Sequence, residues 1–194
     1  MRRDAANMEQ IHGSGGSADM VSASGIRILP ITKENFHLDS LDCFHRRQSV
    51  DSVYVLSDGQ LELKHSPFVE DWSPSRKKEK AREILSGDYI VFGAFDRERV
   101  VGEIMLIPEL NRNRMIIDSF HVDAEYRRHG IGRLLFHAAK AEAERVGASA
   151  LYVSACSAKE TVEFYRAMGF CVSPNPIPSR VEEEPCDIQM EYAL

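Results

Sequence analysis

No stretch of this sequence is apolar for long enough to cross a bilayer. The longest nearly apolar run, Tyr89 to Phe95, has a strand's length against the ~20 residues a membrane helix needs. No secretory leader is expected: Met1-Arg2-Arg3 is basic, but Asp4 and Glu9 stand where a continuous apolar stretch would be required. Cysteine is scarce. Cys43, Cys156, Cys171 and Cys186 lie far apart, with no C-x-x-C pair and no histidine spacing that closes a tetrahedral site, so no metal is expected. The four read as reduced thiols of a cytoplasmic protein. Positive charge is in deficit, 24 Lys and Arg against 30 Asp and Glu for a net −6. A nucleic-acid binder needs a surplus of Lys and Arg on one surface, so that class is excluded and a cationic partner fits better.

What is present suits one soluble core. The chain has 194 residues, 43% apolar and 28% charged, enough for one domain plus a tail. Residues 1–24 hold Gly13-Ser14-Gly15-Gly16-Ser17 and few apolar side chains, the composition of a flexible leader or tag-like segment. The domain is expected over 25–194.

Periodicity divides that domain into strands and helices. Ile26 to Leu29 alternates as a short strand, and Thr32-Lys33-Glu34-Asn35 offers a helix start. Alternation over Ser52 to Glu70 around Ser57-Asp58-Gly59 predicts a hairpin or irregular insert. Ser73-Pro74 opens a helix whose Arg76-to-Arg82 face reads as solvated, with a stop at Ser86-Gly87. Tyr89 to Phe95 and Val100 to Ile107 predict an antiparallel pair, followed by a strand at Met115 to Val122. The period then changes to 3.6, with Ile131, Leu134, Leu135 and Ala138 on one helix face, and returns to a strand at Ala150 to Ser154. Strand, helix and strand in that order favour parallel pairing. Ser157 and Glu160 form a capping-box pair for a last helix stopped at Gly169, and Phe170 to Val172 and Asp187 to Leu194 read as terminal strands. The fold class is mixed α/β, a sheet of six to seven strands flanked by helices.

The most informative stretch joins the Met115-to-Val122 strand to its helix through Arg127-Arg128-His129-Gly130-Ile131-Gly132. Helix N-terminal N–H groups have no intrahelical partner, and residues without Cβ let an anion approach them. Arg127, Arg128 and Arg133 add positive charge in an acidic chain. A phosphate or pyrophosphate would fit, and so would a loop whose glycines only permit positive φ. The two common nucleotide motifs fail. Leu135 stands where a dinucleotide fingerprint needs a small residue, and Gly132-Arg133-Leu134 lacks the Lys-Ser/Thr of a P-loop.

These residues resemble the GNAT superfamily of N-acetyltransferases, whose R/Q-x-x-G-x-G/A motif Arg127 to Gly132 matches at each specified position. The family's later F-Y-x-x-x-G-F stretch is matched by Phe164-Tyr165-Arg166-Ala167-Met168-Gly169-Phe170. The likeness runs from about Tyr89 to Leu194 and is vague before that, where substrate-binding elements of the family usually sit. It implies acetyl-CoA as the acetyl donor, its pantetheine arm met by backbone groups of Phe120, His121 and Val122, and its pyrophosphate wrapped by Arg127, Arg128, His129, Gly130, Ile131, Gly132 and Arg133. It implies Tyr165 as the acid that protonates the departing thiolate, and a backbone N–H near Val122 at the oxyanion. Relatives often carry a cofactor-contacting Asn where this chain has Ser157, which is carried over in its place or serves only as a helix cap.

Acetyl transfer also needs a base for the amine. Asp118 is the first choice, since period-two alternation sets it on the side of Phe120 and Val122; Glu103 and His121 are its rivals. The expected acceptor is a small cationic amine, with a peptide or protein amine as alternative and an acyl-CoA sensor without transfer activity as the other class. Homodimers are common in the resembled family, and unpaired strand edges are available for one.

Overall fold

The computed structural model describes residues 25–194 and, ahead of them, the backbone of strand β1 (Met20–Val21). The leader expected over 1–24 otherwise lies outside the described residues. β1 pairs antiparallel with β2 (Arg27–Pro30). Beyond β2 the expected helix start is a turn: the Thr32 N–H donates to Asn35 Oδ1 at 2.8 Å and Asn35 Nδ2 donates to the Pro30 carbonyl at 3.0 Å. The Phe36 N–H also donates to the Thr32 carbonyl at 3.0 Å, so a single capped turn forms and is not propagated into a helix.

β3 (Gln48–Ser57) and β4 (Gln60–Glu70) form a two-stranded sheet of their own. Asp58 (φ 49°) and Gly59 (φ 77°) turn it, both left-handed as the twist of a tight hairpin requires. α1 (Pro74–Leu85) starts as expected, with Ser73 Oγ accepting from the Arg76 N–H at 3.2 Å. One residue of its basic face departs from expectation. Lys80 is buried against the sheet and pairs with Glu83 at 2.5 Å.

The main sheet adds β5 (Ile90–Asp96), β6 (Arg99–Asn111), β7 (Arg114–Val122), β8 (Ala150–Ala155), β9 (Cys171–Val172) and β10 (Ile188–Ala193). Its order is β1-β2-β5-β6-β7-β8-β10-β9, eight strands, one above the expected range because β1 joins the edge. β7 and β8 are parallel and the other pairs antiparallel. The crossover between β7 and β8 is α2 (Ile131–Arg145), whose 3.6-residue stripe buries Ile131, Leu135, Phe136, Ala138, Ala139 and Ala143. α3 (Lys159–Ala167) lies on the same face, where Ile104, Leu106, Ile117 and Val162 share one core with α2. The opposite face packs Phe36, Leu41 and Phe44 with Ile84 of α1 against Phe95 and Met105. Wholly buried side chains such as Leu135 and Ile104 each contribute roughly 2 kcal/mol of hydrophobic stabilisation. A short helix not anticipated from the sequence, α4 (Pro178–Glu183), interrupts the β9–β10 connection. Ile177 anchors it against Ile116 and Tyr152.

Two features position the site. The parallel pairing of β7 with β8 runs only from Arg114↔Ala150 to Ile117↔Val153, so the strands part beyond that point. On its other edge β7 steps from Ile117↔Leu106 to Ser119↔Met105, which makes Asp118 the extra residue of a β-bulge.

The second feature is Asp123, which is 0% exposed. Its carboxylate accepts from the His45 N–H at 3.2 Å, the Glu125 N–H at 3.0 Å and the Arg99 guanidinium at 2.8 Å. The Ala124 N–H returns a bond to the His45 carbonyl at 2.8 Å. One buried carboxylate therefore ties the segment before β3 to the loop that leads into α2. Asp123→Ala leaves two amides and a guanidinium short of an acceptor and is expected to lower stability by about 3 kcal/mol. Denaturant unfolding at neutral pH reads this directly.

Candidate active site

The loop between β7 and α2 makes one 3-10 turn at Ala124–Tyr126 and then passes through Arg128 (φ 68°) and Gly130 (φ 80°), two left-handed residues ahead of the first helical turn. The N–H groups opening α2 behind this turn have no intrahelical acceptor and carry the positive end of the helix dipole. A Cβ built on Gly130 meets nothing within 4 Å, so the space in front of the turn is open. Arg128, His129 and Arg133 are exposed there. Arg127 points elsewhere: its Nε donates to the Val122 carbonyl at 3.1 Å and its guanidinium to the Arg47 carbonyl at 2.8 Å. It braces the turn and leaves anion contact to the backbone and its neighbours. The donor set fits a pyrophosphate.

Phe120 reaches from β7 to Phe164 and Tyr165 of α3, with ring centroids at 5.4 and 6.3 Å. Val122 packs on the same core. Gly132 makes this contact possible, since a Cβ there would lie 3.1 Å from the Phe164 ring. Tyr165 is 5% exposed, and its hydroxyl has no hydrogen-bond partner among the described residues. Burial pushes the phenol up, and the negative charges of Glu103 and Asp187 and the nearby Cys156 add to this. It is therefore a proton donor at neutral pH and no base.

Asp118 does not share the side of Phe120 and Val122. The bulge takes it out of alternation, and its carboxylate holds Arg180 of α4 at 2.9 Å. Its rivals meet each other instead: His121 Nδ1 lies 2.6 Å from Glu103 Oε1, and Ser119 Oγ lies 3.2 Å from both Glu103 oxygens.

Ser157 is not the cap of α3. Ala158 occupies that position without a side-chain bond, because the 157–158 segment is paired with the hairpin through the Tyr54 N–H to the Ser157 carbonyl at 2.7 Å and a Val53↔Ala158 bridge. The Ser157 hydroxyl makes no hydrogen bond among the described residues and is free to meet a ligand.

Several neighbours had no sequence signal. Trp72, the one tryptophan, sets its edge to His121 at 4.7 Å and stacks with Phe44 at 5.9 Å. Arg46 is buried and bonds Glu70 at 2.8 Å. Asp187 directly precedes the Ile188↔Ala155 pair, across from Cys156, and its carboxyl is pushed up to about 6 by burial and by Glu184 and Glu70. Cys43, Cys156, Cys171 and Cys186 are all free. His45, Asp123 and Glu125 gather as a metal site would, but Arg99 already stands 2.8 Å from Asp123 and 3.6 Å from Glu125.

At Gly130 the positive φ alone sets the price of a side chain. Gly130→Ala is expected to destabilise by about 1 kcal/mol, read from the unfolding midpoint at constant m-value.

The acetyltransferase (GNAT) domain family matches residues 55–194. A sequence search of curated proteins finds no match. In shape the chain is similar to nourseothricin acetyltransferase, with a TM-score of 0.66 and 17% identity over 87% of this chain and 98% of that one. A Bacillus anthracis str. Ames structure in complex with acetyl coenzyme A gives a TM-score of 0.66 and 18% identity over 87% and 98%. The IAA acetyltransferase of Bacillus cereus ATCC 14579 gives 0.53 and 19% over 87% and 99%. Identities this low carry the fold alone; the family match, over well more than half of the sequence and including both the glycine turn and the Tyr165 helix, carries the rest. The chain belongs to the GNAT family of acetyl-CoA-dependent N-acetyltransferases.

Proposed function

We propose that the protein transfers an acetyl group from acetyl-CoA to a primary amine of a small cationic molecule, by direct attack in a ternary complex. The observation that carries this is the unpartnered Tyr165 hydroxyl beside the parting of β7 and β8. Acetyl-CoA supplies an acetyl group activated as a thioester. The chain's part is to hold the donor by backbone, with Phe120, His121 and Val122 along the pantetheine arm and Arg128 to Arg133 around the pyrophosphate, Ser157 adding a hydroxyl. A backbone N–H near Val122 meets the oxyanion. Tyr165 gives its proton to the thiolate as the C–S bond breaks.

The acceptor class rests on carboxylates. Asp187 is half-buried, its carboxyl is raised first by that burial and then by the negative charge of Glu184 and Glu70, and an acceptor that brings a cation would favour its ionised form. The free thiols support a reducing compartment such as the cytoplasm.

The test follows CoA thiol release with a panel of 1,4-diaminobutane, kanamycin, nourseothricin and a short peptide. Turnover of a cationic small molecule is expected; silence across the panel, with acetyl-CoA bound tightly in calorimetry, would favour a sensor. Tyr165→Phe should lower kcat by roughly 10²-fold at unchanged acetyl-CoA affinity, and an unaltered kcat removes Tyr165 from the mechanism.

Asp187 has a pH signature in stability. Its folded-state pKa of about 6 lies above the 3.8 of an ordinary aspartate, so its ionised form opposes folding above pH 6 and the penalty vanishes as pH falls below 3.8. Asp187→Asn is therefore expected to melt higher than the parent protein at pH 8 and level with it at the acid end. The same variant should raise KM for the cationic acceptor by about tenfold.

A further inference from the structure

Resting on the acetyl-transfer reading above, we infer that His121 is the base that takes the proton from the attacking nitrogen, and that Glu103 is its positioning residue. The argument starts from the gap. Its helix side is closed by Phe120, Phe164 and Tyr165 in mutual contact, so an acceptor must approach from the opposite face of the sheet. The parted segment of β7 turns Asp118, Ser119 and His121 away from that aromatic side. Asp118 is held by Arg180 at 2.9 Å, and the Ser119 hydroxyl is given to Glu103. Of the three, His121 offers a basic nitrogen, Nε2, with no bond to another side chain among the described residues, whereas the Asp118 charge is paired with Arg180.

Glu103 determines which nitrogen that is. The carboxylate is 0% exposed and lies 2.6 Å from Nδ1, so a buried anion requires the proton on Nδ1 and leaves the lone pair on Nε2. Trp72 holds the ring from the side at 4.7 Å. The charged groups that face the ring are Glu103 from β6, Arg46 from the segment before β3, and Lys80 from α1. Burial pushes the imidazole below its ordinary value, Arg46 and Lys80 act in the same direction, and Glu103 opposes them. A neutral imidazole at pH 7 follows, ready to accept.

The step balances. As the nitrogen's lone pair forms the C–N bond, its surplus proton passes to His121 Nε2. The C–S bond breaks with its electron pair on sulfur, which takes the Tyr165 proton. The imidazolium and phenolate exchange back through water, giving amide and free thiol.

The experiment has two readouts on the full chain. Nitrogen-15 NMR of the histidine rings in the protein alone should give His121 as the Nδ1–H tautomer, titrating below an ordinary histidine; an Nε2–H tautomer overturns the assignment. With the panel amine that is turned over fastest, His121→Gln should lower kcat about 10²-fold at unchanged acetyl-CoA affinity, and more than Asp118→Asn does. Glu103→Gln should move the rising limb of the kcat–pH profile to lower pH, because the carboxylate holds the imidazole's pKa up, whereas a merely structural role would lower stability and leave the limb in place. A wild-type rate retained by His121→Gln, or a greater loss in Asp118→Asn, overturns the base and leaves the transfer reading standing. A wild type inactive on the whole panel overturns the transfer reading itself, and the base with it.

Discussion

Two neighbouring parallel strands that stop bonding partway along is the constraint on which this architecture turns. β7 and β8 share a ladder from Arg114↔Ala150 to Ile117↔Val153 and then separate. Each keeps its outer partner, β6 on one side and β10 on the other, so neither strand loses its place in the sheet. The facing edges are left with N–H and C=O groups that a buried backbone cannot leave unpaired without a penalty. A ligand with amide groups of its own, as a pantetheine arm has, can complete both edges. The opening is thus a demand for a strand-like partner.

Something must hold that opening, since two twisted strands would otherwise close or fray. On the helix side it is an aromatic contact, Phe120 against Phe164 and Tyr165, reached because Gly132 carries no Cβ to push Phe164 away. On the other side it is charge: Glu103 with His121 and Ser119, and Asp118 with Arg180. At the far end Asp123 fixes where the chain turns into α2. The division has a chemical consequence. The apolar side keeps Tyr165 protonated, and in the proposed reaction the polar side supplies the groups that bind and deprotonate the amine.

What could be read in the sequence follows the range of the interactions. The Asp58-Gly59 hairpin, the Ser73 cap and the α2 stripe are set by residues a few positions apart, and each stands where its local pattern put it. The bulge at Asp118 had no such pattern, because a bulge is defined by the partner strand's register. Ser157-x-x-Glu160 looked like a cap and is not one, because a hairpin about a hundred residues earlier in the chain claims the Ser157 carbonyl. Thr32 to Asn35 differs again: the local capping bonds form, with Asn35 accepting from the Thr32 N–H, but the chain stops after one turn. Lys80 belonged to a charged run that reads as a solvated helix face, and only packing against the sheet, beside Met105, buries it.

The same division explains why the donor side was legible and the acceptor side was not. A turn that presents main-chain N–H groups to an anion requires a left-handed residue, and the closely packed helix behind it requires one without Cβ; these requirements select glycine at Gly130 and, against Phe164, at Gly132. Arg127, the first position of the same motif, serves the turn as a brace, bonding the Val122 and Arg47 carbonyls. In the proposed reaction the amine is bound and deprotonated by side chains, drawn from β6, β7 and the segments before α1 and β10. Glu103 and His121 could be named from the sequence only as rivals of Asp118, since their pairing is set by the β6–β7 register, and Trp72, which meets His121 from another segment, gave no signal at all. Acceptor choice can therefore change by substitutions scattered over the chain while the glycine turn stays constant.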